Sequence, residues 1–96
     1  GTSMLWKDEN AIFNATLKKL EKKLAQEGFV GHIDINSIVN GNGIYPLEFT
    51  SRFGFPQIQI QRASINESLG RLLYKVANGE SFKISTRKGF HIGLYM

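Results

Sequence analysis

The run Asn40-Gly41-Asn42-Gly43 constrains this chain more than any other feature. It separates two segments of strand character. Both of its residue types accept positive φ, so it predicts a tight β-hairpin turn. The strand before it covers 29–39, with Ile33, Ile35, Ser37 and Val39 on one face and His32, Asp34, Asn36 and Ile38 on the other. The strand after it covers 44–50. There Ile44, Pro46, Glu48 and Thr50 share a face, opposite Tyr45, Leu47 and Phe49. Pro46 removes one ladder donor, so this strand belongs at an edge or is bulged at that point.

Helical patterns flank the hairpin. Phe13, Leu17, Leu20 and Leu24 recur at helical spacing and predict one helix over 11–27, capped by Asp8 or Asn10 and stopped by Gly28. After Arg52, the segment 52–63 reads as loop, with Pro56 and alternating glutamines at 57, 59 and 61. Ser64 and Glu67 have the spacing of a capping box. Ile65, Leu69, Leu72, Leu73 and Val76 then form a second helical stripe that closes at Gly79. Gly70 inside that helix costs about 1 kcal/mol relative to alanine, which close packing would justify. Segments 82–85 and 90–96 read as two short strands joined through Thr86-Arg87-Lys88-Gly89. The expected order is helix–β-hairpin–helix–β-hairpin, an α+β fold.

Composition excludes several classes. The 96 residues carry 42% hydrophobic and 21% charged side chains, which fits one small globular domain or part of a larger one, and not a disordered chain. No cysteine is present, which removes disulfide frameworks and thiolate zinc sites and fits a reducing, cytoplasmic setting. No apolar run of about 18 residues exists to span a membrane, and no secretory signal is visible. Gly1-Thr2-Ser3 ahead of Met4 has the look of an added leader, leaving 4–80 as the main body and 81–96 as a closing hairpin or the start of a following domain. Trp6 lies in a lead-in that reads as exposed. The net charge of +4 admits nucleic acid or phosphorylated small molecules as partners. Its densest stretch, Lys18, Lys19, Lys22 and Lys23, reads as the solvated outer side of the first helix.

Familiar catalytic patterns are missing. The two histidines, His32 and His91, stand apart, each among apolar strand neighbours, and read as structural. No phosphate-cradling glycine motif or nucleophile elbow occurs, so no catalytic residue is assigned. What remains is the end of the second strand. Glu48 and Thr50 project side by side, Arg52 follows, and Gly54-Phe55-Pro56 turns the chain. Oxygen ligands suit Mg²⁺ or Mn²⁺, and a guanidinium suits phosphate oxygens. The same residue types describe an ordinary edge strand with solvated charges, which is the commoner case.

Asp34 is a further candidate ligand, subject to register. Directly opposed residues share a face. With an even loop such as Gly41-Asn42, Ile35 opposes Glu48 and Asp34 points away. An odd loop or a bulge brings Asp34 beside Glu48. The turn sequence permits either.

Gly31-His32-Ile33-Asp34, the hairpin, and Leu47-Glu48-Phe49-Thr50-Ser51-Arg52-Phe53-Gly54-Phe55-Pro56 together resemble the end of an ATP-grasp domain. The closest pattern is that of phosphoribosylamine–glycine ligases, whose segment reads L-E-F-N-x-R-F-G-D-P-E. A helix ending at Glu27-Gly28 and another ending at Gly79 extend the resemblance from about Phe13 onward, and the last hairpin is similar to the start of that family's C-terminal domain. Thr50, Phe55 and Gln57 depart from the family's Asn, Asp and Glu.

The resemblance implies that Glu48 and Thr50, with Asp34 on the preceding strand, hold Mg²⁺ or Mn²⁺ against the phosphates of ATP, and that Arg52 binds phosphate. It implies an ADP-forming ligase of purine biosynthesis. In that reaction a carboxylate becomes an acyl phosphate, which an amine then attacks. The family's nucleotide hinge, glycine-rich lid and phosphate-binding lysines do not occur in this sequence, so the isolated chain is expected to be inactive. ATP and small carboxylate and amine substrates are the implied partners, with a homodimer allowed and neither membrane nor nucleic acid favoured. Two alternatives stay open: a small basic binding module acting through Lys18–Lys23, and a non-catalytic ATP-grasp relative.

Overall fold

The computed structural model describes residues 1–96. The chain is an α+β fold with four α-helices and two separate two-stranded antiparallel sheets. It divides into two units, one formed by Lys7–Arg52 and the other by Gly1–Trp6 with Phe53–Met96.

In the first unit the expected long helix is broken into three pieces. Asn10 caps it, its Oδ1 accepting the Phe13 N–H at 2.8 Å. Helix α1 (Ala11–Ala15) then stops at Thr16, whose backbone (φ −125°, ψ −91°) leaves the helical region. The Thr16 hydroxyl donates to the Ile12 carbonyl at 2.6 Å, the back-bonding that bends helices at threonine. A 3₁₀ turn (Leu17–Leu20) and helix α2 (Glu21–Gln26) continue the path. Phe13, Leu17, Leu20 and Leu24 remain its half-buried side. Gly28, at φ 69°, ends it in a Schellman arrangement: Phe29 N–H bonds Leu24 C=O at 2.9 Å and Gly28 N–H bonds Ala25 C=O at 3.1 Å.

The hairpin follows as β2 (Asp34–Asn40) and β3 (Gly43–Thr50). The first strand begins at Asp34, not at residue 29. Its two-residue loop is Gly41-Asn42, and Asn40 Oδ1 accepts the Asn42 N–H at 2.8 Å. Contrary to expectation, positive φ falls on Gly43 (150°) and not on the two loop residues.

In the second unit the segment expected to be loop contains helix α3 (Gln57–Ser64). It starts on carbonyls of the preceding turn, with Ile58 N–H bonding Gly54 C=O and Ile60 N–H bonding Pro56 C=O. The expected capping box dissolves, because Ser64 is the last residue of α3. The cap of helix α4 (Leu69–Ala77) is Ser68, whose Oγ accepts the Arg71 N–H at 3.2 Å. Glu67 instead pairs with Lys75 at 3.0 Å. Gly79 repeats the Schellman ending, with Glu80 N–H on Lys75 C=O.

No second hairpin forms. Strand β4 (Phe90–Gly93) pairs with β1 (Thr2–Leu5), so residues set aside as a leader take part in a sheet. The segment 82–85 leads to Thr86, which bridges Ile65, while Asn66 N–H bonds Ser85 C=O and Arg87 N–H bonds Ser64 C=O. Trp6 is half-buried, contrary to expectation, and its indole N–H donates to Ser64 Oγ at 2.7 Å. The apolar core of this unit is Ile60, Ile65 and Leu72.

Two stability measurements follow. Ser64→Ala orphans the Trp6 donor and is expected to cost about 1–3 kcal/mol in denaturant unfolding, with a red-shifted emission from the single tryptophan. A methyl group at Gly70 meets open space, so close packing does not explain the glycine. Gly70→Ala is expected to stabilise by about 0.5–1 kcal/mol; a lower unfolding midpoint would show that the site is crowded after all.

Candidate functional site

The site is decided by one irregularity in the β2–β3 ladder. Asn40 pairs with Gly43, Val39 with Ile44, Ile38 with Tyr45 and Ser37 with Pro46. The next pair is Asn36 with Glu48, so Leu47 is an extra residue with no partner. This is a β-bulge beside the proline that could not complete a regular ladder. Beyond it, Ile35 pairs with Phe49 and Asp34 with Thr50.

The bulge reassigns the faces of β3. Paired residues lie on the same face, so Glu48 and Thr50 join Tyr45 and separate from Ile44 and Pro46, which the simple alternation had grouped with them. On β2 the alternation is unbroken, and Asp34 and Asn36 share the face of Glu48 and Thr50. The condition for bringing Asp34 beside Glu48 is met by a bulge with an even loop. Asp34 and Glu48 are diagonal neighbours, a placement that separates Cα atoms by about 7–8 Å.

One face of the hairpin therefore carries two carboxylates, a hydroxyl and an amide. Asp34 and Thr50 are half-buried, whereas Asn36 and Glu48 are exposed. Asn36 Nδ2 donates to Glu48 Oε1 at 2.9 Å. Every donor in the set that could meet a cation is a hard oxygen, which suits Mg²⁺ or Mn²⁺ and not a soft metal. No third Asp, Glu, His or Cys joins the pair, so the protein's charge contribution is two. Asn36 was missed as a site residue because its role depends on the pairing partner; Pro46 was the signal that could have found it.

The opposite face behaves as packing surface. Ile35, Pro46 and Phe49 border a groove of about 350 Å³ with Thr16, Lys19 and Leu20, and Leu47 and Glu48 at the bulge also reach its wall. That incomplete filling leaves Phe49 about half exposed.

Arg52 lies in an exposed bend two residues beyond Thr50. His91 Nε2 donates to the Arg87 carbonyl at 3.1 Å. Of the four clustered lysines, Lys18 pairs with Glu9 and Lys23 with Glu27, so the basic face is partly neutralised. No helix is long and apolar enough to cross a membrane.

Compared with known proteins, the chain matches no family model, no curated sequence and no solved structure.

The register is open to direct measurement. Cross-strand nuclear Overhauser effects should connect Asp34 with Thr50 and Asn36 with Glu48. Effects connecting Ile35 with Glu48 would mean an unbulged ladder and would divide the oxygen donors between two faces.

Proposed function

We propose that the hairpin is the metal–nucleotide edge of an ATP-grasp-type site, and that the chain serves an ADP-forming ligase joining a carboxylate to an amine, similar to phosphoribosylamine–glycine ligase. The observation that carries this function is the shared face of Asp34, Asn36, Glu48 and Thr50, set by the bulge at Leu47. It is compatible with the motif resemblance, which supplies the reading that the shared face serves a metal–nucleotide site.

In this role Asp34 and Glu48 provide the negative charge that draws a divalent cation, and Thr50 provides a neutral oxygen. A hydroxyl is shorter than the amide that the family pattern carries, so Thr50 reaches the ion through water or directly at close range. When bound, Mg²⁺ or Mn²⁺ neutralises charge on phosphate oxygens during phosphoryl transfer. Arg52, following the strand, supplies a guanidinium for a phosphate oxygen. These residues bind and orient. Turnover requires groups that this sequence does not contain, and the isolated chain is expected to bind without reacting.

Against the alternative of a basic nucleic-acid module, the ion pairs of Lys18 with Glu9 and Lys23 with Glu27 neutralise part of the charge on that face, with Lys19 and Lys22 outside those pairs. A non-catalytic relative would keep the same metal edge and differ in turnover alone.

Calorimetric titration with Mn²⁺ and ADP together tests the proposal. The wild-type chain should bind, and Glu48→Gln should bind at least about tenfold more weakly. Equal binding by the two proteins, or none by either, overturns it.

A further inference from the structure

The β1–β4 ribbon has two unlike faces. Thr2 pairs with Gly93 and Met4 with His91, and all four are half-buried. On that side Gly93 lies against Ile60 of α3. Ser3 pairs with Ile92 and Leu5 with Phe90, and all four are exposed, Phe90 at 73% and Ile92 at 69%. An apolar sheet face is ordinarily buried by a further layer of structure, and on this side of the ribbon the chain supplies none.

Charge indicates what covers it. The first unit carries six basic and six acidic side chains, so the chain's net charge of +4 belongs to the second unit. The carboxylates of the second unit are Glu67 and Glu80; Glu67 is paired with Lys75, and neither lies on the ribbon. Arg87 and Lys88 are exposed and precede Phe90 by three and two residues, a chain length of at most about 11 Å. The open face is therefore apolar with a basic border.

We infer that this face docks an acidic amphipathic helix of a partner protein. Two strands at about 4.8 Å spacing give a face about 10 Å wide, the diameter of one α-helix. Four residues of strand run about 13 Å, which accommodates about two turns of a helix with its apolar stripe turned to Leu5, Phe90 and Ile92. Glutamates beside that stripe meet Arg87 and Lys88. Other occupants fit less well. Adhesion to anionic lipid draws on clusters of about four to eight basic residues, and this border has Arg87 and Lys88. Single-stranded nucleic acid stacks on successive aromatic rings, and among Ser3, Leu5, Phe90 and Ile92 there is one ring. The ribbon of a second copy brings more cations and no carboxylate to the border. This surface is independent of the metal–nucleotide reading of the hairpin.

The test uses the whole chain and a synthetic amphipathic helix of about 18 residues, leucine along one side and glutamate along the other. Binding is read from backbone amide shifts, which should move at Leu5, Phe90 and Ile92. A peptide with lysine in place of glutamate should bind at least about tenfold more weakly. Arg87→Glu combined with Lys88→Glu should invert that preference. Phe90→Ser removes an exposed ring, so the fold should persist while affinity for the glutamate peptide falls at least about tenfold. Equal affinity for the two peptides, or shifts confined to other surfaces, overturns the inference. So does tighter binding of phosphatidylserine vesicles or of a single-stranded oligonucleotide at the same amides, or self-association of the chain through them.

Discussion

The unpaired Leu47 is the constraint on which the hairpin's chemistry depends. Strand side chains alternate with period two, so one uncounted residue turns over everything beyond it. Without the bulge, Glu48 would stand opposite Ile35, and the carboxylates would lie on opposite faces. With it, one face gathers Asp34, Asn36, Glu48 and Thr50, and the other keeps Ile35, Phe49, Pro46 and Ile44. Pro46 makes the irregularity inexpensive, because a residue with no N–H forfeits less when the ladder is interrupted beside it. Leu47 itself is largely exposed, as befits a residue outside the pairing.

The second unit depends on a polar knot of a different kind. Ser64 is fully buried, accepts from the Trp6 indole, donates to the Gln61 carbonyl at 3.0 Å, and offers its own carbonyl to Arg87 N–H. One residue thus ties Trp6, just past β1, to the end of α3 and the segment leading to β4. With an apolar core of three residues, such bonds carry a larger share of cohesion than they would in a bigger domain. Gly93 shows how close the packing is where it exists: a methyl there would come within 2.8 Å of Ile60 Cδ1.

The sequence was most informative where a residue has one physical use. Gly28 and Gly79 end helices in the left-handed conformation, as their positions suggested, and Asn10 caps. Pro46 announced an edge or a bulge, and the strand has both. It was least informative where two uses compete. Gln57, Gln59 and Gln61 alternate with isoleucines as a strand would, yet two isoleucines are too few to reveal a helical period, and only Ile60 is buried. Ser64 had the spacing of a cap, but a hydroxyl can equally serve a distant indole, and that partner is 58 residues away. Thr16 could not be recognised as a break because threonine is tolerated in many helices. The same limit applied to the site: Glu48 and Thr50 were visible as a pair, whereas Asp34 and Asn36 required a register that the turn sequence left open.

Pro46 and Leu47 also bear on how the two ribbons meet other chains. A free strand edge is a template for pairing with another molecule, and proline and bulges are among the devices that spoil the template. The β2–β3 ribbon has both, although Ile38, Val39 and Phe49 are exposed on it. The β1–β4 ribbon has neither, and it exposes Leu5, Phe90 and Ile92. In concentrated solution the first ribbon is guarded by its own backbone while the second is not, so unwanted strand addition between molecules begins at β1–β4.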